Sequence, residues 1–227
     1  MEKIEMTFGY LPISTSVEER LEQLGYDKES LEDAIKEHGK NSGSNMPALY
    51  VGTYAKYNMG SLRGLWIDLS TFDTYEDFMN FCYAIHADED DPELMFQDYE
   101  CFPRGWYAES CFKKDGFNKI AKFIELCDKY PQEVVETYID KTEGEIDDFE
   151  DRYMGEFNSE KDFAEYYCEE YLNLDFLLEQ FAKYYSDNKF LSEQIQNLSC
   201  RIDYDGYARD LFIQGFTFCN GYVFADN

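Results

Sequence analysis

Ala48-Leu49-Tyr50-Val51-Gly52-Thr53-Tyr54, followed shortly by Gly64-Leu65-Trp66-Ile67-Asp68-Leu69, is the pair of runs on which the fold reading turns. Both are short, rich in aliphatic, aromatic and β-branched residues, and separated by a stretch at 57–63 containing Asn58 and Gly60, so they read as strands over 48–54 and 64–69 joined by a turn. Thr74 with Asp77 gives a helix-start signal, and Tyr75, Phe78, Met79, Cys82 and Ile85 then recur at helical spacing as a buried face. Residues 94–100 alternate and read as a third strand, with Phe102 and Pro103 ending the unit. The expected product is a small α+β module with a three-stranded sheet.

Upstream, Ser16 with Glu19 forms a capping-box pattern ahead of Leu21 and Leu24, and Asp27 precedes Leu31, Ala34 and Ile35. Two short helices are expected there, ended by a linker-like stretch at 39–47 that places a boundary near residue 46. Downstream, Ile120, Ala121, Phe123, Ile124 and Cys127 mark one helix, and a second starts at Pro131 with Val134, Val135 and Tyr138 inward. Residues 143–151 hold six acids in nine positions, but Ile146, Phe149 and Tyr153 recur at three- and four-residue spacing, which predicts an acidic helix with one anchored face.

Ser159 with Asp162 caps a further helix that turns Phe163, Tyr167, Tyr171 and Leu174 inward and Glu160, Glu165, Glu169 and Glu170 to water. A helix from Asp175 is expected to bury Phe176, Leu177, Phe181 and Tyr184. Residues 212–218 and 222–224 flank Asn220-Gly221, the signature of a type I′ hairpin. The class is therefore α+β, in four segments: a helical extension (1–46), an α+β domain (47–110), a helical acidic domain (111–158) and an α+β C-terminal domain (159–227).

The chain carries 48 acidic and 20 basic side chains, a formal charge of -28 over 227 residues. Such a charge suggests disorder, yet 44% hydrophobic and 18% aromatic residues supply enough apolar surface for folding. The four segments contribute -5, -9, -8 and -6, so the whole body is negative rather than one tail. Solubility of a small domain needs a net charge of only about 2 to 8. The excess repels nucleic acid and points to a basic partner. At one phosphate per roughly 1.7 Å of duplex axis, 28 charges match about 48 Å of DNA, and a dimer about 95 Å.

Catalytic signatures are missing. Two histidines occur, His38 beside Gly39 at a helix end and His86 at the end of the helix from Thr74, where a cation suits the helix dipole. There is no HxxxH, GxSxG, Walker or GxGxxG pattern, and carboxylates are too abundant for any pair to mark an acid/base hydrolase. Asp203, Asp205 and Gly206 begin something like a calcium loop, but the glycine comes too early and Gln214 stands where the bidentate Glu belongs. No metal or cofactor is expected. Seven cysteines, an odd number without a CxxC pair, read as buried free thiols. Met1–Glu5 lacks a signal-peptide pattern and no long apolar run occurs, so a soluble, cytoplasmic, membrane-free protein is expected.

Specific motifs also resemble a known family. Ala48 to Asn58 with Gly60-Ser61-Leu62, Gly64 to Leu69, Gln97-Asp98-Tyr99-Glu100, the acidic run from Asp147 to Tyr153, and Ile202-Asp203-Tyr204-Asp205-Gly206-Tyr207-Ala208-Arg209-Asp210-Leu211 resemble the ArdA antirestriction proteins, DNA mimics carried by mobile genetic elements. The resemblance implies an elongated, curved chain of small domains that dimerises through its C-terminal domain and occupies the DNA-binding groove of the methyltransferase and specificity core of type I restriction-modification enzymes, without catalysis.

Under that reading the phosphate mimics are Asp68, Asp73, Glu76, Asp77, Asp88, Glu89, Asp90, Asp91, Glu93, Asp98, Glu100, Glu143, Glu145, Asp147, Asp148, Glu150, Asp151, Glu156, Glu160, Glu165, Glu169 and Glu170. The family's antirestriction segment, in the dimerising region, maps onto about 163–178, with Phe163, Tyr166, Tyr167, Tyr171 and Leu172 as participants. The first 46 residues lie upstream of the family's usual start and either lengthen the mimic or cap another surface. The competing reading is a generic acidic module that sequesters basic DNA-binding proteins.

Overall fold

A computed structural model of the chain describes residues 16–41, 43–198 and 201–226. It divides into two compact units, Met1–Asp147 and Asp148–Asn227. Cys200 and the reading of Met1–Glu5 lie outside the described residues.

In the first unit the two expected N-terminal helices form as α1 (Val17–Gln23) and α2 (Lys28–His38), each opened by a reciprocal side-chain cap, Ser16 with Glu19 and Asp27 with Ser30. β1 (Ala48–Thr53) leads into the short α3 (Tyr54–Asn58), capped by the Thr53 hydroxyl, so the expected turn at 57–63 is preceded by a helical turn. β2 (Leu65–Asp68), α4 (Tyr75–Ala84) and β3 (Leu94–Glu100) follow. The sheet is antiparallel in the order β2-β1-β3.

Tyr50 pairs with Asp98 while Val51 pairs with Phe96, so Gln97 is an extra residue on β3. That bulge interrupts the alternation along the ladder, and Ala48, Leu49, Val51 and Thr53 are all fully buried. The core beside the sheet is aromatic: Phe78 meets Phe112 edge-on at 5.8 Å and stacks with Phe117 at 5.8 Å. Phe117 comes from α5 (Lys114–Lys129), which is followed by α6 (Gln132–Lys141) with Val134, Val135 and Tyr138 buried.

The expected acidic helix over 143–151 does not form. Glu143 and Gly144 take positive φ (55° and 97°), which ends α6, and only α7 (Phe149–Arg152) is helical. Ile146 and Phe149 are nonetheless fully buried anchors. The spacing signal thus reported anchoring, not helix.

The second unit begins with α7. β4 (Tyr153–Glu156) is followed by α8 (Glu160–Tyr167), capped by Ser159, and a π-helical turn at Cys168–Leu172 that stops at Asn173 in the left-handed region (φ 47°). α9 (Leu174–Tyr184), α10 (Lys189–Gln196) and α11 (Tyr204–Gln214) precede β5 (Phe216–Cys219) and β6 (Tyr222–Ala225). The strand expected from 212 therefore starts four residues later, after α11. Asn220 (φ 53°) and Gly221 (φ 89°) make the expected primed turn, and the antiparallel order is β4-β6-β5. Phe163, Ala164, Ala208, Leu211 and Val223 form its core.

Two burial expectations fail here. Tyr171 is exposed, and the face of α9 expected inside stands in solvent: Phe176, Leu177, Phe181 and Tyr184 are 52%, 43%, 57% and 80% exposed. Helical period shows that residues share a face, not what covers it.

Candidate partner-binding surface

The predicted acids of the first unit fall into four local groups. The loop after α4 carries Asp88, Glu89, Asp90, Asp91 and Glu93. On the sheet, Asp68 and Glu100 both pair with Ala48 from opposite sides, so they share a row across β2-β1-β3, and Asp98 lies two residues before Glu100 on β3. At the start of α4, Asp73 is exposed, Asp77 is bonded to the Thr74 cap, and Glu76 pairs with Lys114 at 2.9 Å, which holds its carboxyl below the usual range. After α6 come Glu143, Glu145 and Asp147, all exposed, on a turn fastened by Trp106 Nε1 donating to the Gly144 carbonyl (3.0 Å) and Thr142 Oγ1 donating to the Glu145 carbonyl (2.7 Å).

In the second unit, Asp148 pairs with Arg152 (3.3 Å), and Glu150, Asp151, Glu156, Glu160, Glu165, Glu169 and Glu170 are exposed. Phe163 is in the core, Tyr167 stacks on Tyr171 at 4.7 Å, and Tyr166, Tyr171 and Leu172 are 40%, 54% and 44% exposed. This exposed set is continued along α9 and α10 by Phe176, Phe181 and Phe190, the last 72% exposed.

Three basic side chains are covered where their acidic partners are not. Arg20, Lys40 and Lys56 have side chains only 6%, 7% and 8% exposed, whereas their partners Asp90, Glu100 and Asp88 are 67%, 50% and 42% exposed. At these three pairs the cation sits inside and the carboxylate faces out, so the pairing leaves an acidic surface there, whereas Lys28, Lys36, Arg63, Lys114 and Lys189 are exposed cations. Glu89 is a largely covered acid: it is 17% exposed, 2.9 Å from Lys56 Nζ, and accepts from the Thr53 hydroxyl at 2.6 Å, while Asp68 and Glu76 are half-buried. Asp88 loses something to burial, but Lys56 and Arg63 beside it outweigh that and lower its carboxyl.

His86 is not the helix-end cation that its position suggests. It is buried, its Nδ1 lies 2.9 Å from Lys56 Nζ, and burial followed by that ammonium pushes its pKa down, so it is neutral. His38 does sit at the end of α2, stacked on Phe72 at 4.1 Å, and burial lowers it too. The buried-thiol expectation holds for Cys82 and Cys168, but Cys101 and Cys111 are exposed. Asp203 caps α11 by accepting from the Gly206 amide at 2.9 Å, which accounts for the calcium-like pattern as a helix start.

Sequence reasoning missed the exposed acids of the N-terminal helices, Glu22, Glu29, Glu32 and Glu37 among them. It also missed α10, whose Phe190, Leu191 and Ile195 at one- to five-residue spacing were the available signal. Among the described residues, no group of three His, Cys, Asp or Glu side chains is placed to hold a metal ion, and no helix is long and apolar enough to cross a membrane.

Neither the curated proteins nor the solved structures contain a match to this chain. A family model described as antirestriction protein (ArdA) matches residues 49–224, from the second residue of β1 to the penultimate residue of β6. The chain therefore belongs to the ArdA family of antirestriction proteins, whose activity is directed at restriction enzymes.

Proposed function

We propose that the protein is a non-enzymatic DNA mimic that blocks type I restriction-modification enzymes by occupying the DNA-binding groove of their methyltransferase and specificity core. The observation that carries this reading is the excess of surface carboxylate: with 48 acids against 20 bases, at least 28 carboxylates have no cation of the chain to balance them, and at Arg20, Lys40 and Lys56 the cation is covered while Asp90, Glu100 and Asp88 face solvent. A basic groove built for phosphates gains the same counterion release from such a surface as from DNA. The exposed aromatic side of α9 and α10 supports a homodimer, because apolar faces of that kind on a strongly charged protein need a cover.

The test is inhibition of a purified type I methyltransferase across a salt series with and without competing duplex. Mimicry requires inhibition that falls steeply with salt and is relieved by duplex DNA. Inhibition indifferent to both sinks it, and equal binding to unrelated basic proteins of matched charge favours the generic acidic module instead.

A further inference from the structure

We infer that the hairpin of α1 and α2 is a built-in brace of the first unit, pinned by Arg20, which fixes the loop at residues 87–91 and closes the open edge of β2. The family match starts at residue 49, so the brace is an addition to the matched region.

Arg20 is 5% exposed and reaches the loop with two arms of its guanidinium: Nε donates to the Ala87 carbonyl at 2.8 Å and Nη1 to Asp90 Oδ1 at 2.7 Å. One arm fixes the loop backbone, and the other offsets the crowding of Asp88, Glu89, Asp90 and Asp91. Beneath it, Leu21 packs on Ala84 and Ala87, whose small side chains let α1 approach closely. Tyr26 meets Phe81 at 6.4 Å, and His38 takes a bond with Thr71 Oγ1 at 2.9 Å.

The second half of the brace works on the sheet. β2 has β1 on one side, and an open edge there invites pairing with another chain. Gly39 bridges Ile67, and the Lys40 amide donates to the Trp66 carbonyl at 2.9 Å, so the exit from α2 occupies that edge. A Cβ on Gly39 would stand 2.6 Å from the Ile35 carbonyl, so the chain needs glycine to leave the helix and turn onto the strand. Lys40 then pairs with Glu100 on the opposite edge strand β3.

The test compares Arg20→Met, which keeps the aliphatic stem, with Lys28→Met, which removes an exposed cation from the same hairpin. The brace requires the Ala87 and Glu89 amides, bonded to the Ala84 and His86 carbonyls, to exchange about tenfold faster or more in R20M and unchanged in K28M. Asp90→Asn, at an exposed partner, should shift the same amides by less and keeps the question answerable if R20M does not fold. Unchanged exchange in R20M, or in D90N where R20M cannot be examined, overturns the inference.

An inhibition arm rests on the mimicry reading. Both lysine and arginine variants make the protein more acidic, so charge alone predicts equal or stronger inhibition, whereas a displaced loop predicts weaker inhibition in R20M only. If wild-type inhibition ignores salt and duplex, mimicry fails while the exchange data still decide the brace.

Discussion

The Nζ of Lys56 donates to Nδ1 of the buried His86 across 2.9 Å, and the same ammonium lies 2.8 Å from Asp88 Oδ1 and 2.9 Å from Glu89 Oε1. Three donors meet three acceptors. Because Nδ1 accepts, the imidazole carries its proton on Nε2, which faces the Val51 carbonyl at 3.3 Å. One lysine thus ties α3 to the end of α4, to the acidic loop and, through His86, to the central strand.

Lys56→Met fills the space but leaves His86 Nδ1 and the largely buried Glu89 without their cation. Removing one partner of such a buried set costs about 3 kcal/mol. Both tryptophans, Trp66 and Trp106, lie in the first unit, so urea unfolding followed by their fluorescence reads this unit alone. An unchanged midpoint would show the network to be dispensable.

Acidification acts on the same place. His86 and His38 both have folded pKa values below the ordinary imidazole value of about 6.5, for which burial is the leading cause, so the unfolded chain binds protons first as pH falls. Their contribution is intact above about pH 6.5 and is lost as pH drops below it toward the lowered folded values. Relief of carboxylate repulsion comes later, since the ordinary values of aspartic and glutamic acid, about 3.9 and 4.3, lie below this window. The tryptophan-monitored urea midpoint should therefore fall between pH 7.5 and 5.5, and fall less in His86→Gln; parallel curves would remove His86 from the account.

The elements that announce themselves locally were readable. Ser16, Asp27, Thr74 and Ser159 cap the helices their spacing promised, and Asn220-Gly221 turns as its φ demand requires. What was not readable depends on partners distant in the chain. Arg20 and Lys56 look like surface cations until the fold brings Asp90 and Glu89 to them, and Ile146 and Phe149 look helical because anchors in a turn recur by accident at helical spacing. Phe181 and Tyr184 read as core because sequence gives the existence of an apolar face and not its occupant. The acidic surface was legible as a total, whereas the burial of Arg20, Lys40 and Lys56 was not.

Phe181, 57% exposed on α9, tests the proposed dimer. Phe181→Glu removes an aromatic ring and adds a charge to a face already flanked by Glu179, at no cost to the unit's own core of Phe163, Leu211 and Val223. Self-association measured by light scattering over a dilution series should weaken by roughly tenfold or more, as for a central interface aromatic. A dimer that persists unchanged places the interface elsewhere.

A surface that stands in for a phosphate row shares its binding free energy among many charges, and that sharing is measurable. Asp73, Asp91, Glu93 and Asp98 are exposed acids on the first unit. Each single change to the amide should alter inhibition of a type I methyltransferase by no more than about fivefold, the scale of one exposed charge pair. The four together should lower affinity roughly by the product of the single effects and flatten the dependence on salt by up to about four counterions, because each carboxylate contributes its own share to the release. One position that carries most of the loss would mean that a specific ion pair, rather than a counterfeit backbone, holds the enzyme.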